Sequence, residues 1–177
     1  THLFSSAASD VYKRQVRDRV DVVDEDATFD IVPFNSSDRQ FNIGVIKIPS
    51  FYINFEDAQK GVKDYKSVTR DVKRCIDSLK TLSVDGIIID LRNNGGGSLQ
   101  EAIDLTGLFI ETGPVVQIKS SNGRIEIEKD FDKQIHYDGP LLVLNNSFTA
   151  SSSEIFSGAL KDYKRGLIVG EPTFGKG

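Results

Sequence analysis

Five hydroxyl side chains crowd a short stretch of this 177-residue sequence, NNSFTASSSEIF, just before an apolar run with helical spacing. They are Ser147, Thr149, Ser151, Ser152 and Ser153. A helix needs only one such residue as its N-cap, so the surplus raises two alternatives: one hydroxyl is a nucleophile, or the whole cluster is a polar entry to a helix. A serine hydroxyl becomes a strong nucleophile only when a nearby base takes its proton. The sequence must then also supply that base.

Histidine is the usual base, but neither histidine is well placed. His2 lies in a stretch without periodicity, and His136 lies in the polar segment DFDKQIHYDG, which is typical of a surface loop or strand edge. Lysine can replace histidine when burial lowers the pKa of its amine and keeps it neutral. Lys176 is the candidate, because it follows an apolar strand in EPTFGKG and is flanked by glycines. Its local context also fits an ordinary turn lysine.

A run of glycines, NNGGG at 93–97, lies between a predicted strand and a predicted helix. Glycine lets the backbone approach a ligand closely, and the N–H groups at a helix start carry partial positive charge. Such a loop can hold an oxyanion or a phosphate. Neither GxGxxG nor GxxxxGK[ST] accompanies it, which disfavours a nucleotide site. Taken alone, a glycine triplet is most often a turn.

The elements around these residues alternate between strands and helices. Strands or extended segments are predicted from VDVVDED, TFDIVPF, NIGVIKIPSFY (42–52), DGIIIDL (85–91), the pair GPVVQIK and GRIEIEK, PLLVL (140–144) and GLIVG (166–170). Helices are predicted between 55 and 79, over 98–110 with Ser98 as N-cap, and over 152–163. The β-branched run at 85–91 should be buried on both faces, as in a mostly parallel sheet. This alternation predicts an α/β fold.

Composition and charge exclude several classes of function. With 38% hydrophobic and 27% charged residues the chain is an ordinary globular sequence, and no apolar run approaches the ~20 residues of a membrane helix. The net charge of −4, with scattered basic residues, provides no patch for nucleic acid. A single cysteine and two histidines give no metal-ligand pattern, so no metal site is predicted. Cys75 fits the apolar stripe of a helix and is predicted to be a core residue.

Taken together, the hydroxyl cluster, the glycine run and the final lysine resemble the tail-specific, or C-terminal processing, peptidases, which use a Ser-Lys dyad. The similarity runs from about Val16 to the last residue, through blocks in the same order: IGVIKIPSFY, IIIDLRNNGGGSLQEAIDLTGLFI, GPVVQIK, YDGPLLVL and SFTASSSEIFSGALKDYKRGLIVGEPTFGKG. The resemblance implies a ClpP/crotonase-like α/β core of mostly parallel strands alternating with helices, incomplete at its C-terminal end.

The resemblance also implies roles for particular residues. The family nucleophile is the middle serine of an S-A-S-A-S-E type segment, which corresponds to Ser151 in TASSSE. The base is the lysine of EPTFGKG, Lys176, 25 residues later. The backbone N–H groups of Gly97 and Ser152 are implied to form the oxyanion hole, which suits a first helical turn, where N–H groups lack an internal partner. Asp162 stands where the family has an aspartate and is expected to support the structure.

The implied activity is that of a serine endopeptidase that cuts proteins near their C-termini without a cofactor or metal. Its expected partners are protein or peptide substrates with apolar C-terminal tails and an adaptor protein, and not nucleic acid. The expected location is the bacterial periplasm or cell envelope. Two alternatives stay open: a crotonase-like acyl-CoA enzyme, and a catalytically silent substrate-binding fragment.

Departures from the family pattern shape the expected domain organisation. Residues 1–15, THLFSSAASDVYKRQ, look like translated vector or adapter sequence, which predicts a non-native or disordered tail. The family has a PDZ domain before the position of Val16 and a glutamine four residues beyond the lysine, and the sequence contains neither. Residues 16–41 are therefore predicted to be strands that follow a missing PDZ domain, and 42–177 a truncated peptidase core with feeble activity by itself.

Overall fold

The computed structural model describes residues 26–176, in which strands and helices alternate along the chain. The strands are β1 (Thr28–Asn35), β2 (Gln40–Lys47), β3 (Gly86–Asp90), β4 (Gly113–Lys119), β5 (Ile125–Asp130), β6 (Leu141–Asn145) and β7 (Leu167–Gly170). The helices are α1 (Phe55–Gln59), α2 (Val68–Thr81), α3 (Leu99–Gly107) and α4 (Ser152–Asp162). The tail predicted for 1–15 and nearly all of VDVVDED lie outside the described residues.

Five strands form one sheet in the order β1-β2-β3-β6-β7, while β4 and β5 form a separate antiparallel hairpin. β1 pairs antiparallel with β2, and every other pair in the large sheet is parallel. The predicted α/β fold with a mostly parallel sheet is confirmed. Because parallel strands end at the same edge, the segments that follow β3, β6 and β7 are brought together there. These are the glycine run, the hydroxyl cluster and the lysine segment.

Alternate residues of the central strands face the helices and form the core. Phe109 lies at its centre, with its ring centroid 6.0 Å from that of Phe156 in an edge-on contact. Buried core residues from the sheet and from α2 and α4 include Ile46, Ile48, Ile87, Ile89, Leu141, Val143, Val72, Ile76, Leu79, Phe156 and Leu160. The intervening Ile88, on the other face, is only partly buried, so the predicted burial of β3 on both faces is incomplete.

The helix predicted between residues 55 and 79 is interrupted. α1 ends at Gln59, and Gly61 follows with a φ of +70°, a left-handed conformation that commonly ends helices. A new helix then begins after Ser67, whose side chain accepts a hydrogen bond from the N–H of Arg70. The predicted apolar stripe is correct from Val68 onward, and Cys75 within it is buried as predicted.

The remaining elements follow the sequence pattern closely. Ser98 caps α3 as predicted, because its hydroxyl accepts from the N–H of Glu101 at 3.3 Å. The predicted strand pair forms the β4–β5 hairpin, and the helix predicted over 152–163 differs from α4 by one residue. Within residues 26–176, no helix combines the length and the apolar character needed to cross a bilayer.

Candidate active site

A buried asparagine joins the glycine run to the hydroxyl cluster. The side chain of Asn94 donates to the carbonyl of Ile48 at 2.8 Å and accepts from the N–H of Gly96 at 2.9 Å. Its backbone carbonyl accepts from the N–H of Ala150 at 3.0 Å and from the Ser153 hydroxyl at 3.1 Å. Asn94 is fully buried, so these bonds are shielded from water. They fix the distance between the ends of β3 and β6.

Ser151 has an unusual backbone conformation immediately before α4. Its φ of 59° and ψ of −121° lie outside the regions that L-residues favour, and outside the extended conformation of an ordinary N-cap. Such a conformation costs about 1–3 kcal/mol and persists only where the surroundings impose it. The backbone N–H of Ser151 donates to Oε2 of Glu154 at 2.8 Å, and its carbonyl accepts from the N–H of Glu154, also at 2.8 Å. The turn is therefore held from both sides.

The glycine run lies directly against this turn. A Cβ on Gly96 would lie 2.7 Å from Cβ of Ser151, and one on Gly97 would lie 2.4 Å from the carbonyl oxygen of Phe51. Both glycines also have positive φ, of 101° and 146°. Positions 96 and 97 therefore require glycine for space and for conformation. The hydroxyl of Ser152 donates to the carbonyl of Gly97 at 2.9 Å and fixes the loop against the start of α4.

The two residues predicted to be oxyanion donors, Gly97 and Ser152, are in contact through the carbonyl of Gly97 and the Ser152 hydroxyl. Gly97 pairs with Phe51 through the carbonyl of Gly96 and the N–H of Ser98, so that this pairing leaves the N–H of Gly97 unused. Ser152 is the first residue of α4, where backbone N–H groups have no partner inside the helix. The structure thus brings Gly97 and Ser152 together at the start of α4, and their role as oxyanion donors stays a prediction.

Lys176 reaches the site through its backbone. Its N–H donates to Oε2 of Glu154 at 2.8 Å, and the N–H of Gly175 donates to Oε1 at 2.6 Å. Since the Ser151 nitrogen lies at the same distance from Oε2, the nitrogens of Ser151 and Lys176 cannot be farther apart than twice 2.8 Å. The Lys176 side chain itself is exposed, and within residues 26–176 no hydrogen bond joins its amine to the Ser151 hydroxyl.

Sequence reasoning missed Glu154, which connects the two segments. Burial raises the pKa of its carboxyl, but hydrogen bonds from the Thr173 side chain and from the N–H groups of Gly175, Ser151 and Lys176 outweigh burial and lower the pKa to about 2. The spacing of Ser151 and Glu154 in SSSE is that of a capping box, and this signal could have identified the glutamate. It could not have revealed the bonds to residues 175 and 176.

We expect Glu154→Gln to remove part of the acid sensitivity of folding. A carboxyl whose pKa is lowered by folding stabilises the protein above its unfolded pKa of about 4.3, and the stabilisation is lost as the pH falls towards about 2. The difference in free energy of unfolding between wild type and variant should therefore be largest above pH 5 and shrink towards pH 2. Urea titrations across this range measure it, and a constant difference would contradict the assignment.

Asp162 lies away from Ser151, whereas the ion pair of Arg92 and Asp90 borders the glycine run. Asp162, the last residue of α4, is exposed at the opposite end of the helix from Ser151. Arg92 forms a two-pronged bond with Asp90, from Nε at 2.9 Å and from Nη2 at 2.7 Å. Burial raises the pKa of the Asp90 carboxyl, but these bonds and the charge of Arg92 outweigh burial and lower it. This pair braces the end of β3 before the glycine run.

His136 lies away from this edge of the sheet. Nε2 of His136 lies 2.8 Å from Oδ1 of Asp77, a residue of α2, in a loop away from the end of β6. Among residues 26–176, no group of three or more histidine, cysteine or acidic side chains is arranged to hold a metal ion.

The fold and the site define an α/β protein with a mostly parallel sheet and a serine at a strained strand-to-helix turn. Comparison with protein families identifies it further, because the model of "Peptidase family S41" matches residues 42–177. The chain belongs to this family of serine-type peptidases. The resemblance drawn from the sequence is confirmed.

Individual relatives agree with this assignment. The chain is 43% identical over 162 residues to the tail-specific protease of Haemophilus influenzae, covering 92% of this chain and 21% of the relative. It is 40% identical over 136 residues to the chloroplastic carboxyl-terminal-processing peptidase 2 of Arabidopsis thaliana, covering 76% and 24%. The solved structure of a photosystem II D1 C-terminal processing protease matches with a TM-score of 0.67 and 33% identity, over 85% of this chain and 37% of that one. The chain thus spans about a fifth to a quarter of these curated relatives.

Proposed function

We propose that this chain is the catalytic core of an endopeptidase that cleaves proteins near their C-termini by a Ser-Lys dyad. The observation that carries the proposal is the strained turn at Ser151, wedged between the glycine run and a carboxylate that also holds the backbone of Lys176. Strain of this kind is maintained at functional sites. The relatives named tail-specific and C-terminal processing proteases support the same activity.

In this mechanism the neutral amine of Lys176 takes the proton of the Ser151 hydroxyl as its oxygen attacks the substrate carbonyl. The N–H groups of Gly97 and Ser152 hold the resulting oxyanion, and one such donor contributes about 2.7–4 kcal/mol in measured cases. The peptide C–N bond then breaks, and the leaving amine receives the proton from the Lys176 ammonium. Water, activated by the same amine, hydrolyses the acyl-serine and regenerates both residues.

The amine of Lys176 must be shielded from water to act as a base at neutral pH. Desolvation disfavours the ammonium form of lysine and so lowers the pKa of the amine. The Lys176 side chain is exposed here, while its backbone is already fixed on Glu154. We propose that the side chain turns towards Ser151 when a bound substrate covers it. Catalytic hydrogen bonds are often long or absent before substrate binds. The exposed amine also fits the alternative of a catalytically silent substrate-binding fragment, and the lysine variants described in the Discussion separate the two.

Apolar C-terminal tails are the proposed substrates. Phe148 and Phe174 flank the turn at Ser151, and their side chains are 68% and 67% exposed. The N–H of Phe174 donates to the carbonyl of Thr149 at 2.9 Å, which fixes its segment beside the hydroxyl cluster. Two exposed aromatic rings beside a nucleophile favour an apolar peptide over a charged one. A PDZ domain and an adaptor that deliver such tails, in the bacterial periplasm or cell envelope, complete the proposal.

A serine-reactive fluorophosphonate probe tests this function against a crotonase-like acyl-CoA enzyme. Both would use paired backbone donors, but only the peptidase needs an activated hydroxyl. We expect mass mapping to locate a covalent label on Ser151, and Ser151→Ala to remove it while the protein stays folded. A label spread over several serines, or none on Ser151, would favour the acyl-CoA chemistry or the silent fragment.

A further inference from the structure

Glu154 has more hydrogen-bond donors around it than a helix cap requires. In a capping box the glutamate side chain accepts from one N–H, that of the N-cap residue. Here Oε2 accepts from the N–H groups of both Ser151 and Lys176, and Oε1 accepts from that of Gly175. The Thr173 side chain adds a fourth bond. A single carboxylate therefore joins the turn that carries the proposed nucleophile to the segment that carries the proposed base.

Within residues 26–176, the hydrogen bonds of the Gly175 and Lys176 N–H groups go to Glu154. The lysine segment comes after β7 and the nucleophile after β6, so that more than twenty residues of chain separate them. Nearby, the N–H of Phe174 bonds to the carbonyl of Thr149, two residues before Ser151. That bond guides the segment into place but leaves residues 175 and 176 unrestrained. Glu154 supplies the restraint at those two residues.

We infer that Glu154 is a positioning residue, whose carboxylate sets the distance between the Ser151 turn and the Lys176 segment and thereby controls the catalytic rate. This inference rests on the proposed Ser-Lys mechanism. Glu154 touches neither substrate nor reacting atoms in that mechanism, and it acts through the two backbones. An error of about 1 Å in such a placement can cost on the order of 100-fold in rate.

The carboxylate must be ionised and of full length for this role. All four of its neighbours donate, so an acceptor with both oxygens unprotonated is needed to satisfy them. In Glu154→Gln an NH₂ group would face N–H donors and break the bonds on one side. In Glu154→Asp the charge stays, but the side chain is one methylene shorter and cannot reach both segments. Both variants should misplace Lys176 relative to Ser151.

A matched control lies five residues before Lys176. Glu171 also binds a backbone N–H near the site, that of Ser147 at 3.2 Å, but contacts neither Ser151 nor Lys176. Glu171→Gln therefore makes the same chemical change in the same region without altering the link. Thr173→Val is a milder change, since it removes one of the four donors and keeps the shape of the side chain.

The experiment compares peptide cleavage by the protein as the cell makes it and by these variants. We expect Glu154→Gln and Glu154→Asp to lower kcat about 10- to 100-fold with KM within about two-fold of wild type. Thr173→Val should lower kcat several-fold, and Glu171→Gln should leave it unchanged. A general loss of structure would instead lower the fraction of active molecules, so active-site titration accompanies each measurement. The lower free energy of unfolding expected for Glu154→Gln does not by itself change kcat of the folded molecules.

The inference is overturned if Glu154→Gln keeps wild-type kcat, or if Glu171→Gln loses as much. Should both Glu154 variants fail to fold, Thr173→Val decides: an unchanged kcat would overturn the inference, and a several-fold loss at normal KM would support it. Failure of the proposed mechanism looks different, because Ser151→Ala would then remain active. An inactive Ser151→Ala beside a fully active Glu154→Gln would reject the positioning role alone.

Discussion

Ser151→Ala is expected to lower peptide-bond cleavage by at least about a thousand-fold, because it removes the oxygen that forms the acyl-enzyme in the proposed mechanism. The residual rate would come from substrate binding and from the two backbone donors, which the substitution leaves in place. Folding should not suffer. The removed oxygen belongs to a half-buried side chain, while the bonds that hold the turn are made by backbone atoms and by Glu154.

The matched control for this variant is Ser147→Ala. Ser147 belongs to the same hydroxyl cluster but is exposed, and its recorded bond uses the backbone N–H rather than the hydroxyl. Steady-state cleavage of a peptide with an apolar C-terminus measures both variants, with urea titration to confirm equal folding. Wild-type turnover by Ser151→Ala would remove the nucleophile from the proposed mechanism.

Lys176→Ala and Lys176→Arg should both abolish turnover, also by about a thousand-fold or more. Alanine removes the base, and arginine replaces it by a group that stays protonated in proteins and cannot accept the serine proton. Substrate binding should be nearly unchanged, since the backbone N–H that bonds to Glu154 remains. If Lys176→Arg were active, the lysine would serve only as a positive charge.

Chemical rescue makes the test of Lys176 sharper. In Lys176→Cys, alkylation with 2-bromoethylamine would rebuild a lysine-like amine and should restore a measurable part of the activity. The chain suits this experiment because its one native cysteine, Cys75, is buried and unreactive. Burial, and to a smaller extent the charge of Asp71, raises the pKa of its thiol to about 11. Alkylation should therefore be selective for position 176. Full activity of the unmodified Lys176→Cys variant would show that the lysine is not the general base.

The sequence predicted most of the scaffold because its signals are local. The β-branched run of β3 and the caps at Ser98 and before α4 each depend on a few neighbouring residues. The interruption between α1 and α2 was missed because the apolar spacing continues across it, and only Gly61 and Ser67 mark the break. The periodic apolar spacing therefore predicted one helix, although Gly61 favours a helix end and Ser67 favours a helix start.

The candidate site was predicted less completely, because its supporting bonds cross between distant segments. The family resemblance implies roles for Ser151, Gly97 and Lys176, and these roles stay predictions. The bonds of Asn94 to Ile48 and Ala150, however, depend on the register of three strands, which residue types do not encode locally. The same holds for the bonds from the N–H groups of residues 175 and 176 to Glu154. Almost every residue has a backbone N–H group, so residue types do not indicate which of these groups bind the glutamate.

The parallel arrangement of β3, β6 and β7 has a consequence for the newly synthesised chain. These strands are followed by the glycine run, the hydroxyl cluster and the lysine segment, which lie far apart in sequence. Parallel pairing of such distant segments is slow compared with helix formation. A newly synthesised chain would therefore contain all residues of the proposed site before it is able to cleave other proteins. In the proposed mechanism, proteolytic activity begins only after β7 has paired with β6 and positioned the lysine segment.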